Sequence, residues 1–214
     1  MKSKLRYLIT TVAILSLIFT ACSGGDLTTP EDESNTLQFE GILLHESSIL
    51  ITGTKADLLS KGQLISLRFP AEMVERPPIG SLYSYEIDST LRESWPPQAD
   101  ALKAEEIREF AGHTVISFES AEMILGHLPQ NSHLIDVRTM EEFESGHVSG
   151  SQNLPVDEIE EAILTAVPEK TDVIIVYCRS GNRSAHAGKM LEDLGHKVIL
   201  DAGGINDYKG DQVQ

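Results

Sequence analysis

Residues 173–184 read VIIVYCRSGNRS, and they contain the clearest structural signal in the chain. Its first five residues are apolar and mostly β-branched, with no polar alternation, which predicts a strand buried on both faces of a parallel sheet. The strand ends at Cys178, a polar loop containing a glycine follows, and we expect a helix from about Ser184. The spacing of this helix puts four apolar side chains on one face: Ala187, Met190, Leu191 and Leu194.

The predicted position of Cys178 indicates a reactive thiol. Ligands of open α/β sheets bind at the carboxyl ends of the strands, where loop amides and a helix N-terminus favour an anion. Such surroundings lower the pKa of a thiol and favour the nucleophilic thiolate. We therefore predict Cys178 as the catalytic residue within a substrate-binding or anion-binding loop made of the six residues that follow it: Arg179, Ser180, Gly181, Asn182, Arg183 and Ser184.

The segment CRSGNRS resembles the active-site loop of rhodanese-type sulfurtransferases. Three further segments match this family in order: LIDVRTMEEFESGHVSG (134–150), NLP (153–155) and GGINDYKG (203–210). The resemblance covers about residues 113–214 and implies an α/β fold, a rhodanese-like parallel sheet with helices on both faces. The alternation of predicted strands and helices agrees with this fold. Within it we expect Ser120 to cap a helix, and Thr139 with Glu142 to form a capping box.

The resemblance also implies the chemistry, which is transfer of sulfane sulfur through a persulfide on Cys178. The donor would be a small sulfur anion such as thiosulfate, a polysulfide or a persulfide, and the acceptor a thiol or cyanide. No metal or organic cofactor is required, because the cysteine itself holds the covalent intermediate. The same resemblance implies that Arg183 organises the loop and pairs with Asp136. We expect Asp136 and Arg138 to lie outside direct contact with the substrate, with Arg138 forming a structural salt bridge to Glu142.

Two alternatives remain open at this point. Phosphatases and arsenate reductases of a related fold have a loop of the Cys-x5-Arg type. Cys178 and Arg183 form the shorter Cys-x4-Arg arrangement, which favours a sulfur atom as the group bound in the loop. The other alternative is a binding module that uses the fold without catalysis, although the intact cysteine and loop argue against it.

Residues 1–21 have the pattern of a lipoprotein signal peptide. A basic start and a short apolar core are followed by FTAC, which resembles the box in which a cysteine is lipidated after cleavage. We expect a lipidated Cys22, a flexible tether over 22–36, and attachment to the membrane of the cell envelope, outside the cytoplasm. With Cys22 modified, Cys178 would have no partner for an intramolecular disulfide, because the chain contains two cysteines.

Residues 37–98 contain short β-prone runs separated by Gly, Pro and Ser, which predicts a small mainly-β domain, with an OB-like barrel fitting this length. The segment LRESWPPQADALKAEEI resembles a small domain of bacterial lipoproteins whose function is unknown. We predict a linker helix over 99–112 and the rhodanese-like domain over 113–214. The formal net charge of -16 argues against nucleic acid as a partner.

Overall fold

The computed structural model describes residues 35–73, 76–108 and 112–214. The predicted signal peptide (1–21), the lipidation site Cys22 and nearly all of the predicted tether lie outside these residues. Within the described ranges, no helix combines the length and the apolar character needed to cross a bilayer.

The first part of the described chain is a closed five-stranded barrel with the strand order β1-β2-β3-β5-β4. Strands β3 and β5 pair in parallel, and the other neighbours are antiparallel. The predicted mainly-β architecture is therefore confirmed. The bounds of the strands are β1 Thr36–His45, β2 Ser48–Thr54, β3 Leu64–Arg68, β4 Leu82–Asp88 and β5 Gln98–Arg108.

The predicted helix over 99–112 is wrong, because this segment continues as strand β5 to Arg108. Its Ala, Leu, Lys and Glu residues have good intrinsic helix propensity, which is a weak preference that tertiary context overrides. Here Ala99 and Ala101 are 0% and 2% exposed inside the barrel, and the backbone pairs with β3 on one side and β4 on the other. Barrel closure therefore decides the conformation.

The second part of the described chain is a parallel sheet with the order β6-β11-β10-β7-β9. The predicted central strand, β10, is buried along its whole length and ends at Cys178. A separate antiparallel pair joins β8 to β12. The bounds are β6 Thr114–Val115, β7 Ser132–Asp136, β8 His147–Val148, β9 Gln152–Asn153, β10 Val173–Cys178, β11 Val198–Gly204 and β12 Gln212–Val213.

Helices cover both faces of this sheet, as the fold prediction required. Helix α1 packs on the face formed by alternate β10 residues such as Ile175, whereas α3 and α4 pack on the opposite face, which includes Cys178. The capping box of Thr139 and Glu142 on α2 is confirmed, but Ser117 rather than Ser120 caps α1. The bounds are α1 Phe118–His127, α2 Met140–Glu144, α3 Ile159–Ala166 and α4 Asn182–Asp193.

The barrel and the sheet share one hydrophobic core across α1. Barrel residues Leu44 and Leu64 belong to the same buried cluster as Ile124 of α1 and Ile175 of β10. Polar contacts reinforce the junction, since the Ser120 hydroxyl of α1 donates to the backbone carbonyl oxygen of Gly62 at 2.9 Å. The barrel therefore stabilises the face of the sheet opposite Cys178.

Candidate active site

The sulfur atom of Cys178 lies among hydrogen-bonding groups at the end of β10. The backbone N–H of Gly181 lies 3.2 Å from Sγ, and the Ser184 hydroxyl oxygen lies 3.7 Å from it. Burial raises the pKa of the Cys178 thiol, but hydrogen bonds from the backbone amides of Ser184, Ser180 and Gly181 and from the Ser184 side chain outweigh it, so the pKa is lowered overall. The loop thus favours a thiolate.

The loop can close around the sulfur because of Gly181. This residue caps α4 with a φ of 97°, in the left-handed region that side chains with a Cβ rarely adopt. The turn directs successive amides inward, and α4 then begins at Asn182 with its N-terminus toward the sulfur. The predicted loop of residues 179–184 therefore surrounds Cys178, and its main-chain dipoles favour negative charge at Sγ.

Arg183 lies beside the sulfur but pairs with Glu142, so the predicted pairing with Asp136 is wrong. Its two terminal nitrogens donate to the Glu142 carboxylate at 2.6 and 2.9 Å. This hydrogen bond is the largest cause of the raised pKa of Arg183, and the Cys178 sulfur contributes as well. The Arg183 hydrogen bond in turn lowers the pKa of Glu142 to about 2. Glu142 thus holds the guanidinium at the mouth of the loop.

Arg138 pairs with Asp136 and not, as predicted, with Glu142. The Asp136 carboxylate accepts hydrogen bonds from the backbone N–H of Arg138 at 2.9 Å and from its Nη2 at 2.7 Å. This turn of two residues folds the guanidinium back onto the end of β7, where Asp136 is fully buried. The Asn153 amide donates to the backbone carbonyls of both residues at 2.9 Å. The pair therefore braces the turn that leads into α2 and Glu142.

Arg179 is not paired with a carboxylate, in contrast to Arg138 and Arg183. Within the described part of the chain its guanidinium forms no ion pair, and it lines a cavity of about 480 Å³ beside the loop. Arg138 and Glu142 line the same cavity, together with Asn206 and Tyr208. A small anion entering this cavity would meet one guanidinium that no carboxylate neutralises.

The sequence did not reveal the part that two polar residues play near the site. Glu142 was predicted to cap a helix and to pair with Arg138, and nothing in its local pattern indicates that it faces α4 and binds Arg183. Asp201 interrupts the apolar strand β11, and it is 3% exposed. A charged residue inside a buried strand needs a partner, so this position was a usable signal.

Comparison with known proteins places this site in a family. A family model described as a rhodanese-like domain matches residues 120–211. A thiosulfate sulfurtransferase of Escherichia coli, PspE, is 43% identical over 82 residues, which cover 38% of this chain and 79% of that protein. The chain belongs to the rhodanese-like family. The rhodanese-like match contains α2, β10, the loop and α4, and the barrel lies before it.

Other known proteins are similar to this chain over part of its length. A thiosulfate:glutathione sulfurtransferase of Saccharomyces cerevisiae is 31% identical over 104 residues, covering 43% of this chain and 75% of that protein. Two further relatives are matched over only 54% and 43% of their own lengths. Among solved structures, a rhodanese with anions from E. coli shares 40% identity, with 39% of this chain and 98% of that one covered and a TM-score of 0.38.

Proposed function

We propose that this protein is a sulfurtransferase that moves sulfane sulfur from thiosulfate, a polysulfide or a persulfide to a thiol or cyanide acceptor. The observation that supports this most directly is the set of backbone amides around Cys178. One of them, the Gly181 N–H, lies 3.2 Å from Sγ. The relatives named as a thiosulfate sulfurtransferase and a thiosulfate:glutathione sulfurtransferase support the same class of donor and acceptor.

The reaction consists of two displacements at sulfur. The Cys178 thiolate attacks the outer sulfur of thiosulfate and forms a new S–S bond with it. The S–S bond of thiosulfate breaks, and sulfite leaves with its electron pair. An acceptor thiolate then attacks the terminal sulfur of the Cys178 persulfide. That step forms the acceptor persulfide and returns the electron pair to the Cys178 thiolate, so no external oxidant or reductant takes part.

The residues around the loop have distinct proposed roles in these steps. The amides of Ser180, Gly181 and Ser184 stabilise negative charge on the sulfur before and after the first transfer. Arg179 attracts the anionic donor, and Arg183, held by Glu142, offers a second positive charge at the loop. Removal of one well-placed donor of this kind typically lowers a rate by about 10²–10³-fold.

Incubation of the protein with thiosulfate, followed by mass spectrometry of its peptides, tests this proposal. We expect the Cys178 peptide to gain the mass of one sulfur atom, to lose it when a thiol is added, and to show no gain in Cys178→Ser. Cys22→Ser is the matched control and should still form the adduct. Absence of the adduct with thiosulfate, polysulfide and glutathione persulfide would overturn the proposal, as would faster turnover of an aryl phosphate or arsenate.

We also propose that the protein acts in the cell envelope, attached to the membrane by lipid on Cys22. The basic start, the short apolar core and the FTAC segment support this location. The acidic tether that follows would separate the barrel from the lipid surface. The protein would then bind its sulfur donor outside the cytoplasm.

A further inference from the structure

A second cavity lies at the carboxyl ends of β6 and β11, and the reaction steps above do not use it. Its volume is about 650 Å³, which is within the range of about 300–1,000 Å³ for small-molecule sites in proteins. Ligands of open α/β sheets bind at this edge of the sheet. The apolar part of the lining comes from the end of β6, the start of α1 and the end of β11: Val115, Ile116, Phe118 and Ala202.

Tyr208 lies between this cavity and the one beside Arg179, since it lines both. A Cβ built on Gly210 would collide with the Tyr208 hydroxyl oxygen, so the missing side chain of Gly210 leaves room for the ring. The hydroxyl donates to Oε1 of Glu122 at 3.0 Å, and the ring centroid lies 4.9 Å from that of Phe118. These contacts hold Tyr208 as a wall shared by the two cavities.

The two cavities differ in charge. The charged residues that line the cavity beside the loop are two arginines and one glutamate. The second cavity is lined by the carboxylates of Glu119, Glu122 and Asp207 and by one cation, Lys209. Within the part of the chain that the structure describes, none of these four side chains forms an ion pair. Three negative charges against one positive charge raise the local concentration of cations in such a cleft.

The N-terminus of α1 also contributes to the lining and by itself would favour an anion. It is already satisfied here, because the Ser117 hydroxyl accepts the backbone N–H of Ser120 at 3.1 Å and Glu119 places a negative charge in the first turn. The Tyr208 hydroxyl occupies only Oε1 of Glu122, and Oε2 has no hydrogen-bond partner among the described residues. This oxygen is therefore available to a bound cation.

We propose that the second cavity binds a small organic cation, a primary amine attached to an apolar chain or ring. The apolar part would lie against Val115, Phe118 and the ring of Tyr208, and the ammonium group would lie beside Glu122. Carboxylates and the faces of aromatic rings both attract an ammonium group. The proposal goes beyond the proposed function, because no step of sulfur transfer takes part in it.

Phenethylamine is a suitable probe, because it joins an ammonium group to an aromatic ring. The matched control ligand is 2-phenylethanol, which has nearly the same shape without the charge. Each is titrated into the isotope-labelled full chain, and the backbone amide shifts report affinity and location together. We expect phenethylamine to shift the amides of residues 115–119 and 202–210 with a Kd of about 1 mM, the scale for so small a ligand. The alcohol should bind about 3–5-fold more weakly, because it lacks the charge.

Substitution of Glu122 by glutamine removes the charge and keeps an oxygen that can accept the Tyr208 hydroxyl proton. We expect Glu122→Gln to weaken the binding of phenethylamine about 3–5-fold and to leave that of 2-phenylethanol unchanged. Glu160→Gln is the matched control variant. Glu160 is an exposed carboxylate on α3 that lines a different acidic cavity, and its replacement should change neither affinity.

A second variant tests the wall formed by Tyr208. The methyl group of Gly210→Ala should displace the tyrosine ring and weaken the binding of both ligands. Gly126→Ala is its control, because a Cβ at Gly126 meets nothing within 4 Å, and it should weaken neither.

Four results would overturn the proposal: no shift of the amides of this cavity at ten times the expected Kd, equal affinity for the amine and the alcohol, an equal loss in Glu122→Gln and Glu160→Gln, or shifts centred on residues 179–184. The last result would place the amine in the active-site cavity. The titration contains no sulfur donor. A failure of the persulfide experiment therefore refutes the proposed function without affecting this test.

Discussion

Substitution of Ile124 by alanine tests whether the barrel and the rhodanese-like sheet unfold as one unit. Ile124 is 0% exposed on α1, in the buried cluster that also contains Leu44 and Leu64 of the barrel. The change removes three carbon atoms, worth ~0.8 kcal/mol each in transfer free energy, and leaves a cavity that rigid neighbours on two sides cannot fill. We expect a loss of about 3–4 kcal/mol in the free energy of unfolding.

Hydrogen exchange measured by mass spectrometry at increasing urea concentration gives the required resolution along the chain. If the shared core couples the two parts, peptides from barrel strand β1 and from β10 should lose protection together, and Ile124→Ala should shift both by the same free energy. Ile107→Ala is the matched control, because Ile107 is 47% exposed on β5, and we expect a change within about 0.5 kcal/mol. Barrel peptides that keep wild-type protection in Ile124→Ala would refute the argument for one cooperative unit.

The remaining predictions concern acid stability and location. The hydrogen bond from Arg183 lowers the pKa of Glu142 from its ordinary 4.5 to about 2, so its stabilising contribution is complete above pH 4.5 and is lost as the pH falls toward 2. Acid unfolding followed by circular dichroism should show this loss in the wild type and in the exposed-neighbour control Glu141→Gln, but not in Glu142→Gln. Cys22→Ala should move the protein from the membrane fraction to the soluble fraction, and unchanged sedimentation would contradict lipid attachment.

Most of the fold could be predicted from the sequence because its strongest signals are local. The apolar run of β10, the polar loop after Cys178 and the apolar face of α4 each depend on residues close together in the chain, and the structure confirms them. The segment after Gln98 could not be predicted in this way. Its residues favour a helix by propensity, and only pairing with two distant strands makes it part of the barrel.

The arginine partners show a second limit of sequence reasoning. Four charged residues, Asp136, Arg138, Glu142 and Arg183, were predicted to lie near the loop, but their two ion pairs were predicted with the partners exchanged. Arg138 turns back to Asp136 within two residues, and this leaves Glu142 for Arg183. Opposite charges that lie close in the chain have several partners of similar energy, and the side-chain directions set by the turn and the capping box decide among them.

The same structural layout explains why the barrel has no direct part in the proposed chemistry. The barrel packs against α1 on one face of the sheet, whereas Cys178 belongs to the cluster on the other face, beneath α4. Side chains of adjacent strand residues point to opposite faces, so the cluster that stabilises the strand and the group that reacts are separated by the sheet itself. The barrel can therefore add stability through Ile124, while the loop after Cys178 lies at the carboxyl end of the strands, where Arg179 lines a cavity of about 480 Å³.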